Sequence, residues 1–151
     1  MYRKILVPVD GSPTANRGLL EAIKFARSQN ATLIVLHVVD ENIVTQSALG
    51  GGYFIEGLLE GLLENGKKVL AKAEATVKKH RVKVQPVLVE DIGMAVSEVI
   101  VSQAKKLKVD LIVLGTHGRR GVSRLLMGSD AEGVVRNAPV PVMVVRAPGK
   151  R

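Results

Sequence analysis

Thr32-Leu33-Ile34-Val35-Leu36-His37-Val38-Val39 is an almost unbroken run of β-branched and aliphatic residues. A strand with one face in water alternates apolar and polar side chains, whereas a strand covered on both faces does not. The run therefore predicts a central strand of a parallel sheet with helices packed against both sides. Upstream, residues 4–9 read as another buried strand, ending at Val9-Asp10. Ser12-Pro13 then opens a helix, with Ser12 at the N-cap and Pro13 at the first helical position. Leu19, Leu20, Ile23 and Ala26 give that helix its apolar face.

Downstream the two periods keep alternating. Residues 40–55 form the one long irregular connection, with Gly50-Gly51-Gly52 at its middle. Residues 56–80 carry apolar side chains at helical spacing, from Leu59 and Leu62 to Ala73 and Val77, and Gly57, Gly61 and Gly66 weaken the first half. Residues 82–89 alternate as a strand, 94–107 form an amphipathic helix, and 110–114 are a further buried strand. A glycine-rich loop, a short helix beginning near Ser129 and a last strand over 139–146 complete the chain. This order predicts one α/β domain over residues 1–151, with a doubly wound, Rossmann-like, five-stranded parallel sheet flanked by four helices. Ligands of such sheets bind beyond the carboxyl ends of the strands, where the strand order reverses. The strand ends that matter are then Val9-Asp10, Val38-Val39 and Leu114-Gly115.

Composition narrows the class. The chain has 151 residues, 46% hydrophobic but only 3% aromatic, so its core is built of Val, Leu, Ile and Ala. A chain of this length can bury roughly 68–70% of its unfolded surface and needs no metal or disulfide to do so. It has no cysteine, which excludes thiolate metal sites and fits a reducing, cytoplasmic setting. No apolar run is long enough to span a membrane. The net charge is +8, but the basic residues are dispersed and no aromatic stacking platform accompanies them, which favours a solvated surface over a nucleic-acid partner.

The chemistry-bearing stretch runs from Gly115 to Asp130. Gly115 and Gly118 let backbone N–H groups approach an anion. Gly128 and Ser129 stand at a helix start, where unpaired N–H groups and the helix dipole favour phosphate. Ser129 also fits a plain structural reading, because Ser129-Asp130-Ala131-Glu132 matches a capping box. Gly61 to Lys67 mimics a P-loop, but Lys68 stands where Ser or Thr is required, and the stretch lies inside a helical pattern.

The spacing Gly115-x2-Gly118-x9-Gly128-Ser129 resembles the nucleotide-binding signature of the ATP-binding universal stress proteins. The opening Ile5-Leu6-Val7-Pro8-Val9-Asp10-Gly11-Ser12 is similar to that family's first strand and turn. Leu36-His37-Val38-Val39 and the segment from Ala131 to Arg146 also resemble it, so the likeness spans nearly the whole chain. It implies an adenine nucleotide alpha hydrolase-like fold. It also implies roles: Asp10 near the ribose or phosphates, Val38 bonding adenine through its backbone, and Pro8 lining that pocket. Gly115, Gly118, Gly128 and Ser129 would hold the phosphates, and His117 lies in the same loop. The chain departs from many relatives at Asp130, whose charge is expected to weaken triphosphate binding or to call for Mg²⁺. Asp10 also has a reading as a turn residue before Gly11, and His37 reads as a partly exposed polar residue at a strand end.

The expected function is a nucleotide-dependent regulatory role in a stress response, with ATP as ligand and an unidentified protein partner. ATP, ADP, AMP and cyclic AMP are not distinguished. No convincing general base is visible, so slow ATP hydrolysis is the most catalysis expected. An adenylyl-transferring enzyme is the competing reading, but the first loop is Asp10-Gly11-Ser12-Pro13 and lacks the Ser-Gly-Gly of such enzymes. A basic nucleic-acid-binding module is the third. Val140-Pro141-Val142-Met143-Val144-Val145 is an apolar strand expected at a sheet edge, where pairing with a second copy would make a homodimer.

Overall fold

The computed structural model describes residues 1–41, 55–91, 93–116 and 127–146. Strand β1 (Lys4–Pro8) leads into helix α1 (Pro13–Gln29) and strand β2 (Thr32–Asp40). Helix α2 (Ile55–Lys79) and strand β3 (Lys83–Asp91) follow, then α3 (Val96–Lys106), β4 (Leu111–Gly115), α4 (Ser129–Asn137) and β5 (Val142–Val145). All neighbouring strands are parallel, in the order β3-β2-β1-β4-β5. The expected doubly wound sheet is present. The chain builds outward from β1 through β2 to β3, then returns to the other side of β1 for β4 and β5. The strand order thus reverses between β1 and β4, which opens a crevice at their carboxyl ends.

The apolar runs are buried on both faces, as their lack of alternation requires. On one face Ile5, Val7, Leu33 and Val35 meet Leu19 and Ile23 of α1 and Leu70 and Val77 of α2. On the other, Leu6, Ile34, Leu36 and Ile112 meet Ile100 and Ala104 of α3 and Val134 of α4. Each such Val, Leu or Ile side chain contributes roughly 1.5–3 kcal/mol by leaving water.

Local chemistry sets the helix ends. Ser12 caps α1, its Oγ accepting from the Ala15 N–H at 3.1 Å with Pro13 next to it. Asn30 ends the helix in the left-handed conformation (φ 53°) that Asn tolerates. At the far end of the sheet from the crevice, Asp110 Oδ2 accepts from the N–H groups of Arg3 (2.7 Å) and Lys4 (2.8 Å). Those two backbone bonds hold its carboxyl below the usual carboxylate range.

The expected strands and helices match to within a few residues, and helix α2 runs unbroken through Gly57, Gly61 and Gly66. The P-loop mimic lies wholly inside this helix. One glycine there has a tertiary reason: a Cβ on Gly66 would sit 2.8 Å from His37 Cδ2. Residues 42–54 of the expected irregular connection, with Gly50-Gly51-Gly52, lie outside the described residues, while its ends Asp40 and Ile55 belong to β2 and α2.

Candidate functional site

Beyond the carboxyl ends of β1, β2 and β4 the structure forms a crevice on the α3/α4 side of the sheet. It gathers five of the residues singled out in the sequence: Pro8, Asp10, Val38, Gly115 and Asp130. Leu36, Leu114 and Ile100 supply apolar wall. The hollow enclosed by the described residues is about 110 Å³, smaller than the roughly 300–1,000 Å³ of small-molecule sites. These residues therefore make a floor and one wall. Gly128 and Ser129 are not part of that wall but directly precede Asp130 in the chain. His117 and Gly118 lie outside the described residues.

The strand ends differ in length, and the difference creates an opening. The β1–β2 register closes at Pro8 opposite Leu36, and the Val9 N–H adds one last bond to the Leu36 carbonyl at 2.8 Å. Backbone groups on a strand alternate sides with a period of two. Val38 therefore turns its N–H and C=O the same way as Leu36, toward the space that β1 has left. On its other side β2 still pairs with β3 as far as Asp40. A half-buried strand residue with its backbone donor and acceptor facing a crevice is suited to reading the edge of a planar heterocycle.

Asp10 caps the turn out of β1. Its Oδ1 accepts from the Ser12 N–H at 2.8 Å, as the turn reading anticipates. The carboxylate is exposed and lines the crevice, and its second oxygen is geometrically suited to accept from a ligand hydroxyl.

Gly115 also lines the crevice, but the structure gives it a further reason to be glycine. The Thr14 carbonyl occupies the place a Cβ would take, and a Cβ on Gly18 would meet the Gly115 nitrogen at 2.8 Å. The start of α1 is thus seated directly on the end of β4. The Thr116 N–H, donating to Val145 O at 2.9 Å, ties the same strand end to β5.

At α4 the capping-box expectation is corrected. The N-cap is Gly128 (φ −60°, ψ 153°), and Ser129 is the first helical residue. Gly128 has no side chain with which to cap, and among the described residues no side chain caps this helix start, which leaves its first backbone N–H groups open. Asp130 and Glu132 lie in the first turn, where they suit the helix dipole.

His37 also corrects its sequence reading. It is buried, only 8% exposed, and its Nδ1 lies 2.7 Å from the Val9 carbonyl. A carbonyl only accepts, so Nδ1 carries the proton. Through this bond β2 holds the last residue before Asp10. The ring packs against α2 where Gly66 leaves room for it. The sequence offered one clue, the pairing of a strand-end histidine with a glycine in the middle of a helix.

Among the described residues no cluster of three or more His, Cys, Asp or Glu could hold a metal, and no helix is long and apolar enough to cross a membrane.

Comparison with known proteins agrees with this architecture. The model of the universal stress protein family matches residues 1–146. The chain is 38% identical to Universal stress protein MJ0531 of Methanocaldococcus jannaschii, over 99% of this chain and 85% of that one. It is similar to the solved structure of protein MJ0577, with TM-score 0.83, 31% identity and 99% of each chain covered. Two more distant neighbours share the fold. One is a universal stress protein solved in complex with cAMP (22% identity, TM-score 0.68, 97% and 98% covered). The other is the universal stress protein of Archaeoglobus fulgidus in complex with dAMP (24%, 0.67, 95% and 97%). With a matching family model over almost its entire length and a relative at 38% identity, this chain belongs to the universal stress protein family.

Proposed function

We propose that this protein binds an adenine nucleotide in the crevice between β1, β2 and β4 and acts as a nucleotide-dependent regulator in a stress response. The observation that carries the reading is the open backbone of Val38, which faces the space beyond the last β1–β2 bond. An adenine edge offers the complementary donor and acceptor. Pro8, Leu36 and Leu114 would cover the purine, and the free oxygen of Asp10 would accept from a ribose hydroxyl. The phosphates would then extend toward Gly128 and Ser129 at the start of α4 and past Gly115, and the resemblance assigns His117 and Gly118 to the same role. That two fold neighbours were solved with cAMP and dAMP supports the nucleotide class.

ATP is the proposed physiological ligand. The Asp130 carboxylate stands beside the proposed phosphate positions, so Mg²⁺ carried by the nucleotide would offset its repulsion. The chain would act as a homodimer through β5. This strand is one edge of the sheet, and its residues Val142 to Val145 are only half-buried. The other edge, β3, carries Pro86, Lys83, Gln85 and Glu90, residues that discourage pairing with another chain.

Calorimetry on protein stripped of nucleotide, with ATP and AMP and with and without Mg²⁺, tests the reading. Native protein is expected to bind, and Asp10→Ala to bind at least tenfold more weakly. Asp130→Ala is expected to reduce the dependence on Mg²⁺. Absence of binding by the native protein would refute the proposal.

A further inference from the structure

On the opposite face of the sheet, helices α1 and α2 are separated by a second and larger hollow of about 500 Å³. Its size lies within the range of small-molecule sites. The inner surface is apolar, made by Val9, Leu19, Val69 and Ala73. Leu20 adds apolar surface at the rim and is 39% exposed, one of few large apolar side chains left in water among the described residues. The rim is otherwise polar and cationic, with Asn16 on α1 and Asn65, Lys68, Lys72 and Thr76 on α2.

The charges on α2 are distributed unevenly. Lys67 pairs with Glu64 at 3.9 Å and Lys78 with Glu74 at 2.7 Å. Lys68 and Lys72, which border the hollow, have no ion pair among the described residues. They stand four residues apart, one above the other on the same helix face. Two like charges at this spacing repel each other along the helix, and an anion held between them removes that repulsion. The Asp10 carboxylate lies at the end of the same hollow and makes no ion pair with either lysine among the described residues.

The geometry points to a second ligand site here, for a small amphipathic anion whose aliphatic body lies on Val69, Ala73 and Leu20 and whose carboxylate sits between Lys68 and Lys72. A purely polar anion would leave the apolar surface uncovered, and a neutral lipid would leave the lysines unpaired. The inference does not depend on the nucleotide reading, because the two hollows lie on opposite faces of the sheet and share only the wall Val9–Asp10.

The probe is decanoate below its micellar concentration, titrated into the full chain by calorimetry and followed through backbone amide signals, with acetate as the head group alone. Saturable one-to-one binding is expected, with shifts at Gly11, Val69 and Ala73 and none of comparable size from acetate. Lys68→Glu/Lys72→Glu is expected to weaken binding at least tenfold, and Lys68→Gln/Lys72→Gln by an intermediate factor. Both lysines are exposed, so unchanged thermal melting is expected for each double variant. Three results would overturn the proposal: no saturable binding, equal binding after charge reversal, or shifts confined to Val38 and Gly115 in the crevice.

Discussion

The two hollows on either side of the Val9–Asp10 wall are built in opposite ways. The crevice is made of strand ends and helix starts drawn from residues 8 to 131, and the open backbone of Val38 joins the Asp10 and Asp130 carboxylates as its polar resource. The α1/α2 hollow is made of two helix faces, and its polar resource is side chains repeated at helical spacing. A site whose strand-end backbone reads the ligand is fixed by topology. A side-chain-lined site can be gained or lost by changing two lysines. The nucleotide site therefore should be sensitive to changes that shift strand ends, and the other site to changes of charge.

The most severe way to disturb the first is at Gly115. In Gly115→Val the new Cβ runs into the Thr14 carbonyl, and backbone of this kind has little room to give. We expect a loss of about 3 kcal/mol in urea unfolding, together with loss of nucleotide binding. A variant of native stability would show that α1 is not seated on β4 as described.

The next largest effect tests whether the shared wall is held from β2. His37→Leu leaves the Val9 carbonyl without its partner, at a cost of about 2 kcal/mol. Nucleotide affinity should fall with it, because Asp10 follows Val9. Gly66→Ala pushes on the same ring and should cost about 1 kcal/mol. Gly61→Ala, five residues earlier in the same helix and with nothing near its Cβ among the described residues, should instead stabilise by about 0.5–1 kcal/mol. Equal effects of the two alanines in thermal melts would remove the proposed contact between α2 and β2.

The smallest effect is expected far from both hollows. Asp110→Asn loses the charge on the acceptor of two backbone N–H groups, about 0.5 kcal/mol at a site open to water. The folded pKa of Asp110 is depressed. Its contribution is therefore fully present above the unfolded value near 4 and is lost as the pH falls through the lower folded value. Native and variant stabilities should differ constantly from pH 8 to about 5 and converge below about pH 4. Nucleotide affinity should be the same in both at neutral pH.

The sheet was legible in the sequence because burial on both faces removes alternation, and residues 32–39 show that plainly. The crevice was legible because parallel topology puts all strand carboxyl ends on one side. Three features were not. His37 reads as a strand-end polar residue, since its partners Val9 and Gly66 lie 28 and 29 positions away in the chain. Ser129 reads as a cap because serine is a favoured cap, although Gly128 holds that position. Gly115 reads as a phosphate-approach glycine, and its packing against Thr14, a second reason for glycine there, was not visible. Each of the three concerns a contact between elements distant in sequence or a one-residue shift in a boundary, where local pattern carries little information.

The most direct test is to titrate AMP into nucleotide-free protein and follow the backbone amide signals of Val38 and Gly115 in the crevice and Val69 and Ala73 in the other hollow. The account predicts saturable shifts at Val38 and Gly115 with Val69 and Ala73 largely unmoved. Shifts centred on Val69 and Ala73, or none at Val38 under saturating AMP, would contradict it.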